Sequence, residues 1–481
     1  MSMIKLLETY NNIITEGVKE KSAEALLSDI VKNSPWKGKA YIAGGYVRDE
    51  VMGLEPKDID ITVAAENGGI ELATYIVKQL GIYKEGSNPV IYPKFGTAKI
   101  TLRGIEYNNI DLSDMDIEFV MTRKERYTDN SRKPDVEYGT LQQDTERRDF
   151  TINSLLKDLT TGEIIDMTGM GKDDIKKGLI RTPLDPDIIF SEDPLRMLRA
   201  IRFSCKYKWN LPMFMIKALK KNADKLKNIS VERIREELDK MLVSSIPDRA
   251  IRLLQITGLS QYIFPELDAL IGMKQNKYHS YDAMTHTLQV LKQVPPTVID
   301  RLSALFHDIG KVKANQVIGG EIHFYDHEDI GADMARDILF RLKYPNDIIN
   351  AVYTCVKNHM RTKQWKDDIS HISDKAIRKL KNEIGPNLNT LLNLIDADNK
   401  SHGGSNNIPN QVTNIKNRMQ NIEMGGDKMV LPINGDDIMK ILNIKPGVEV
   451  KNALEFIKDK WLENPGITRE EAIYFLKQKY L

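Results

Sequence analysis

The spacing of hydrophobic residues changes twice along the chain, near residue 39 and near residue 153. Before the first change, apolar residues recur at helical spacing from Leu6 to Ile14, and a break follows at residues 35–38. This pattern predicts an N-terminal helical extension over residues 1–34.

Between the two changes, short apolar runs alternate with loops rich in glycine, proline and charge, which is typical of strands. The runs predict one helix near residues 70–80 and strands over residues 40–43, 59–64, 98–102 and 117–121. Beyond Asn153 the spacing is almost entirely helical, starting with the apolar run that follows this residue.

We therefore predict an α+β fold, with a head over residues 35–158 whose sheet is mixed or antiparallel. All-helical parts follow: a neck over residues 159–272, a body over 273–402 and a tail over 403–481. Small and polar residues over 401–410 predict a linker between body and tail.

Composition excludes several classes of protein. With 481 residues, 41% hydrophobic and 28% charged, the chain has the balance of a soluble protein of several domains. The net charge is +1, so a polyanion must be bound by local basic patches. Two cysteines support neither a disulfide framework nor a thiolate zinc site. No stretch approaches the roughly 18 apolar residues of a membrane span, and we expect a cytoplasmic protein.

Two features of the head indicate phosphate chemistry. Gly44 and Gly45 form a turn between a strand and a helix, where backbone N–H groups can approach a triphosphate, although such a pair is also found in ordinary turns. Asp58 and Asp60 share one face of a strand, which favours binding of a divalent ion such as Mg²⁺. The alternative is that both are solvent-exposed carboxylates at the end of a strand. Glu118, on another predicted strand, is a candidate for the same carboxylate cluster.

Charged residues at the end of the head and in the neck extend this pattern. Arg147 and Asp149 offer a fork for phosphate and an acceptor for a ribose hydroxyl. Asp193 and Arg196 are three residues apart at a predicted helix start, so we expect them on one face, either as a surface ion pair or as a ligand-facing pair. Lysines between residues 206 and 227 form either a solvated helix face or a track for a nucleic-acid backbone.

The order of these motifs resembles that of tRNA nucleotidyltransferases and bacterial poly(A) polymerases. The resemblance implies a nucleotidyltransferase head of the polymerase beta type, followed by a helical neck, body and tail. It also implies that Asp58 and Asp60 hold Mg²⁺ and that Glu118 is an auxiliary catalytic carboxylate. The residues implied to bind nucleotide are Gly44, Gly45, Arg48, Arg147, Asp149, Asn153, Asp193, Arg196 and Arg199.

The body carries a second resemblance, to the HD phosphohydrolase superfamily. His279, His286, His307, His327 and His359 lie within one stretch of 81 residues, and the pair His307-Asp308 stands in the sequence Leu-Phe-His-Asp-Ile-Gly-Lys. Imidazole and carboxylate ligands suit a divalent metal and phosphoester hydrolysis. Asp396 competes with Asp398 as the last ligand, and we prefer Asp398. The implied metal ligands are His286, His307, Asp308, His327, His359 and Asp398.

Together these features predict an enzyme that adds or repairs the 3′ CCA end of tRNA from CTP and ATP, with a possible phosphohydrolase activity in the body. We expect Mg²⁺ at the head, an unspecified divalent metal in the body and tRNA binding by the tail, with no membrane and no protein partner. The alternatives are a poly(A) polymerase, a CC-only or A-only enzyme, a phosphohydrolase with a non-catalytic RNA-binding head, and an RNA-binding protein without catalysis.

Overall fold

Alternating burial along short runs of the head produces a sheet, and the helical spacing beyond it produces helices. A computed structural model describes residues 17–128, 131–275, 281–365, 369–402, 408, 410–423 and 431–481. The first 16 residues of the predicted extension, His279 and most of the predicted linker lie outside the described residues. The chain divides into two units, Met1–Tyr262 and Ile263–Leu481.

The first unit opens with the part that carries the sheet. Its elements are α1 (Val18–Lys32), β1 (Ala40–Ala43), α2 (Gly45–Val51), β2 (Ile59–Val63), α3 (Gly68–Gln79), β3 (Val90–Tyr92), β4 (Thr97–Thr101), β5 (Glu106–Tyr107), β6 (Ile110–Asp111), β7 (Asp116–Met121), β8 (Arg123–Thr128), β9 (Ser131–Tyr138), α4 (Leu141–Glu146), β10 (Leu156–Asp158) and β11 (Ile164–Ile165).

Seven of these strands form one sheet in the order β11-β10-β1-β2-β7-β4-β3. The pair β2·β7 is parallel and the other pairs are antiparallel, so the sheet is mixed. The predicted α+β class is confirmed, as are the four predicted strands and the helix near residues 70–80, which is α3. The core lies on the sheet face that α1 and α3 cover, around fully buried Leu27, Ile61, Leu72 and Phe119.

The apolar run after Asn153 was predicted to be helical, and this prediction is wrong. After a short 3-10 turn at Thr151–Asn153, the chain forms β10, which pairs with β1. The reason is burial on two opposite faces. Leu155 packs in the main core, whereas the adjacent Leu156 packs with Tyr41 and Ala43 on the other side, which is the alternation of a strand.

The rest of the first unit is helical. Its helices are α5 (Gly171–Lys177), α6 (Pro186–Glu192), α7 (Leu195–Tyr207), α8 (Met213–Asn222), α9 (Val231–Leu242) and α10 (Pro247–Ile256). Leu198, Ile201 and Leu238 are buried among the helices α7, α9 and α10. This packing fixes the orientation of α7, which carries several of the predicted site residues.

In its described residues the second unit is helical apart from one β-hairpin, β12·β13, which departs from the predicted all-helical body. Its elements are α11 (Pro265–Asp268), α12 (Ala283–Gln293), α13 (Val298–Phe306), α14 (Lys311–Ala314), β12 (Asn315–Ile318), β13 (Glu321–Phe324), α15 (His327–Arg341), α16 (Asn346–Asn358), α17 (Asp374–Ile384), α18 (Leu388–Asn399), α19 (Gln411–Glu423), α20 (Gly435–Leu442), α21 (Val448–Glu463) and α22 (Arg469–Tyr480). Helices α20 to α22 enclose their own core around Ile438, Ala453, Ile457 and Leu476. Within the described ranges, no helix has the length and hydropathy needed to cross a membrane.

The contact between α3 and the sheet requires glycine at residue 69. A Cβ atom there would lie 2.6 Å from the Gly96 carbonyl oxygen and 2.7 Å from that of Phe119, and these backbone atoms cannot rotate away. We expect Gly69→Ala to destabilise the head by about 1–3 kcal/mol, although alanine normally favours a helix over glycine. Hydrogen exchange of the β7 amides measures this loss.

The control is Gly435→Ala in α20, where the new methyl group meets side-chain atoms at 3.6 and 3.8 Å, which is ordinary contact. We expect it to leave the exchange of the α20 amides unchanged or slower. Unchanged exchange of β7 in Gly69→Ala would show that α3 shifts at little cost.

Candidate active site and metal centre

The register of two parallel strands places carboxylates side by side in the head. Asp60 of β2 pairs with Glu118 of β7, so both side chains project from the same face of the sheet. Asp58 directly precedes β2. The opposite face of β2 is buried, with Ile59 and Ile61 no more than 3% exposed.

The electrostatics of this cluster suit a divalent cation. Burial raises the pKa of Asp60, the negative charges of Glu118 and Asp58 raise it further, and Arg148 opposes them. Neighbouring carboxylates that destabilise each other's charge are stabilised by a hard cation such as Mg²⁺, which prefers oxygen ligands. The residues present therefore fit the metal that the sequence predicts.

Beside Asp60 lies a cavity of about 420 Å³ that gathers every residue predicted to bind nucleotide. Asp58 and Glu118 are not among its lining residues. Six arginines and three aspartates are, so the wall favours a polyanion. The lining residues are Gly44, Gly45, Arg48, Asp60, Arg147, Arg148, Asp149, Asn153, Asp193, Leu195, Arg196, Arg199, Phe203 and Arg233.

The glycine turn brings the backbone close to this wall. Gly44 has a φ of 75°, in the region that favours glycine, and precedes the first residue of α2. A Cβ atom at Gly44 would lie 3.3 Å from Nη1 of Arg148. The turn therefore requires glycine at residue 44 for its conformation, and Gly44 and Gly45 both line the cavity.

Asp144, which was not predicted as a site residue, positions both arginines of the Arg147-Arg148 pair. Its carboxylate is buried and lies 2.6 Å from Nη2 of Arg147 and 3.0 Å from Nη2 of Arg148. Burial raises the pKa of Asp144, but the two guanidinium charges outweigh it and hold the pKa below its usual value. Arg148 also donates to Thr62 Oγ1 on the sheet, 3.2 Å away.

Asp149 connects the head to the neck. Its buried carboxylate accepts from the backbone N–H of Phe150 and from Asn153 Nδ2, and it lies 2.8 Å from Nε of Arg199. Burial raises the pKa of Asp149, yet Arg199 and Asn153 lower it overall. Asn153 Oδ1 in turn accepts from Arg48, 2.6 Å away. These contacts fix Arg48 and Arg199 relative to each other.

Asp193 and Arg196 both line the cavity, but the prediction that they share a helix face is wrong. Helix α6 ends at Glu192 and α7 begins at Leu195, so Asp193 lies in the bend before Pro194. There its Oδ1 accepts from the Leu195 N–H, and its Oδ2 lies 3.1 Å from Nη2 of Arg233.

Arg196 is fixed by other partners. Its Nη2 donates to the Arg147 carbonyl oxygen at 2.6 Å, and its Nη1 lies 3.1 Å from Glu192 Oε2. Arg233, far along the sequence on α9, gave no signal of its own in the sequence. Its partnership with Asp193 exists only in the folded chain.

The second unit gathers the predicted metal ligands in one buried cluster. In each of four histidines, Nδ1 faces a backbone carbonyl oxygen at 2.6–3.2 Å. Nδ1 therefore carries the hydrogen, and the lone pair of Nε2 is directed into the cluster, which is the arrangement of metal-bound imidazoles. These histidines are His286, His307, His327 and His359.

The carboxylate of Asp308 lies at the centre of the cluster. Two sets of ligand atoms share it, His286 with His307 and His327 with His359, and the atoms of each set lie within 4.8 Å of one another. Asp308 would therefore contribute to holding a divalent metal with either pair of histidines.

The surroundings of two imidazole nitrogens indicate whether the cluster can bind a metal. The Nε2 atoms of His327 and His359 are buried and have no hydrogen-bond partner among the residues that the structure describes, which is costly unless the lone pair is used. Burial, with the nearby His327 and His307, lowers the pKa of His359 to about 3, so its imidazole is neutral and able to bind a metal. The donor set therefore fits a divalent metal.

The geometry distinguishes Asp398 from Asp396 as the last candidate metal ligand. Asp398 Oδ1 lies 3.1 Å from Nε2 of His286, within the cluster. Asp396 is half-buried at the helix surface and pairs with Lys400 at 2.7 Å.

Two lysines that were not predicted complete this centre. Lys311 Nζ lies 2.6 Å from Asp308 Oδ2, and Lys363 Nζ lies 2.6 Å from Asp398 Oδ2. Burial raises the pKa of Asp308, but His307 and Lys311 hold it well below its usual value. Lys311 was detectable from its i,i+3 spacing to Asp308, whereas Lys363 has no such signal.

Comparison with known proteins places these two sites in a family. Family profiles match residues 40–181 as a poly(A) polymerase head domain, residues 215–271 as a probable RNA- and SrmB-binding site of polymerase A, and residues 278–403 as an HD domain. The chain is 26% identical to a tRNA nucleotidyltransferase of Schizosaccharomyces pombe, covering 97% of this chain and 99% of the relative.

It is 32% identical to the multifunctional CCA protein of Neisseria gonorrhoeae, over 64% of this chain and 70% of that protein. The fold resembles the crystal structure of the Bacillus stearothermophilus CCA-adding enzyme in complex with CTP, with a TM-score of 0.64, 22% identity and coverage of 96% and 97% of the two chains. The chain therefore belongs to the tRNA nucleotidyltransferase family that includes these CCA-adding enzymes.

Proposed function

We propose that this chain adds or repairs the 3′ CCA end of tRNA from CTP and ATP in the head cavity. The observation that carries the proposal is the position of Asp60, which lines the arginine-rich cavity and is paired in register with Glu118. A nucleoside triphosphate brings negative charge to the arginines, and its α-phosphate must lie near the carboxylates for transfer.

In this reaction the RNA 3′-oxygen forms a bond to the α-phosphorus, and the bond to the leaving pyrophosphate breaks. Asp58 and Asp60 would hold Mg²⁺, with Glu118 beside them; the metal supplies charge stabilisation at the transferring phosphoryl group. Gly44, Gly45 and Arg48 bind the triphosphate.

Contacts to the ribose and base come from the neck side of the cavity. Asp149, whose oxygens already hold Asn153 and Arg199, orients these side chains toward the nucleotide. Asp193 and Arg196 offer an acceptor and a donor fork to the base edge, since their positions are set by Arg233 and by the Arg147 carbonyl oxygen.

The domains then have separate roles. The head (residues 35–158), preceded by the extension (1–34), carries out the transfer, and the neck (159–272) selects the base and contacts RNA. The tail (403–481) binds tRNA, and the compartment is the cytoplasm. The body (273–402) hydrolyses phosphoesters at a divalent metal centre held by His286, His307, Asp308, His327, His359 and Asp398.

The first prediction from the proposed function concerns the carboxylate cluster of Asp58, Asp60 and Glu118. We expect the protein to extend a tRNA lacking its CCA end by three nucleotides with CTP, ATP and Mg²⁺, and Asp60→Asn to lower kcat at least about a hundredfold because a metal ligand is lost. Single-nucleotide resolution of the products measures both.

The control is Asp114→Asn, an exposed aspartate of the head with positive φ, where asparagine fits equally well. An ATP-only ladder on tRNA and unstructured RNA alike would indicate a poly(A) polymerase. Addition of only CC or only A would indicate a partial enzyme, and wild-type activity in Asp60→Asn would contradict the proposed site.

The second prediction concerns base selection. Asp193→Asn keeps the shape of the side chain but turns one acceptor into a donor and weakens the contact with Arg233. We expect kcat/KM for CTP relative to UTP to fall by about 10–100-fold. Incorporation assays with single nucleotides measure this ratio, and an unchanged ratio would remove Asp193 from base recognition.

The third prediction concerns the body. We expect His307→Ala and His359→Ala each to lower bound divalent metal and phosphatase activity on terminal or 2′,3′-cyclic phosphates at least about tenfold. Elemental analysis and phosphate release measure these quantities. His371→Ala, at an exposed histidine outside the cluster, is the control. Full metal content in both cluster variants would contradict the proposed centre.

A further inference from the structure

Phe203 of α7 lies in the wall of the nucleotide cavity and offers no polar group of its own. Three guanidinium groups nevertheless converge on its ring. The Cζ atom of Arg202 lies 4.2 Å from the ring centroid, and those of Arg48 and Arg199 lie 5.5 Å from it. All three distances are within the range of cation–π attraction.

Each of these guanidinium groups also has a carboxylate partner. The ring therefore provides a second point of attachment, and two points fix the plane of a guanidinium where one leaves it free to rotate. The pairs are Arg48 with Asp49 at 2.7 Å, Arg199 with Asp149 at 2.5 Å, and Arg202 with Glu237 at 2.5 Å.

The ring is itself held in place by other aromatic rings. Phe150 of the head contacts it edge-on at 5.7 Å, and Tyr207, one turn along α7, stacks on it at 6.0 Å with an interplanar angle of 5°. Tyr207 then packs against Trp209 at 4.9 Å. Phe203 is only 5% exposed, so it acts on neighbouring side chains and not directly on a ligand.

Two of the three arginines around Phe203 also line the cavity, and they come from different parts of the unit. Arg48 lies on α2, next to the glycine turn, whereas Arg199 lies on α7, on the same helix as Arg196. The ring of Phe203 thus sets the distance between Arg48, which is proposed to bind the triphosphate, and α7, which is proposed to contact the base.

We infer that Phe203 is a positioning residue for nucleotide selection, which holds Arg48 and Arg199 in one arrangement around the nucleoside triphosphate. The inference rests on the proposed function of the cavity. It concerns a side chain that neither touches the reacting atoms nor pairs with the base.

The test compares Phe203→Leu, which keeps an apolar side chain but removes the aromatic face, with Phe203→Tyr, which keeps the ring. We expect the Kd for CTP with Mg²⁺, measured by calorimetry without RNA, to rise about tenfold in the leucine variant and to recover in the tyrosine variant. In incorporation assays we expect KM for CTP to rise more than kcat falls, with weaker discrimination against UTP. Phe203→Met replaces the leucine variant if that variant does not fold.

The matched control is Phe190→Leu, the same change at a fully buried phenylalanine of α6 that does not line the cavity. We expect it to lower the melting temperature without changing the Kd for CTP. Equal rises of Kd in both leucine variants, or no rise in the variants at Phe203, would overturn the inference. Absence of CTP binding and incorporation in the wild-type protein would instead contradict the proposed function.

Discussion

The arginine-lined cavity of the first unit, which we propose binds the nucleotide, depends on the buried carboxylate of Asp149. A buried carboxylate is tolerated only when its oxygen atoms accept hydrogen bonds. The donors to Asp149 come from separate parts of the chain: the Phe150 N–H, the Asn153 side chain, and Arg199 of the neck. Asn153 extends the network to Arg48 beside the glycine turn. Because Asp149 needs these donors, its hydrogen bonds also fix the distance between the glycine turn and α7, which both contribute to the wall of the cavity.

The two sites balance buried charge in different ways, and the difference matches their proposed substrates. In the head, six arginines outnumber three aspartates along an open wall of about 420 Å³, which suits a large polyanion. In the body, lysines neutralise Asp308 and Asp398, while Nε2 of His327 and of His359 have no hydrogen-bond partner within the described part of the chain. Imidazole nitrogens with free lone pairs beside two aspartates suit a divalent cation, which the proposed hydrolysis of a phosphoester would require.

The sequence predicted the features that depend on local periodicity and on motif order. The strand of Asp60, the α+β class and most of the residues lining the cavity follow from alternation and from the resemblance. It failed where tertiary packing decided the outcome. Leu156 forms a strand because β1 is available as a partner. The failure at Asp193 is of another kind, because Pro194 disfavours the helical conformation in the residue before it, and the sequence does carry that signal. Arg233 and Lys363 were missed because their partners are distant in sequence. Asp144 did carry a local signal, its i,i+3 and i,i+4 spacing to Arg147 and Arg148, which was overlooked.

Phe203 illustrates why such residues escape sequence analysis. In the sequence it is one more apolar position of an amphipathic helix, and its burial would be explained by core packing alone. Its distinguishing property is that Arg48, Arg199 and Arg202 surround it, and mutual repulsion would separate these charges without the ring and their carboxylates. A triphosphate would bring further negative charge to Arg48 and Arg199, which line the cavity. The arginines are thus held together before the ligand binds, which lowers the cost of organising them during binding.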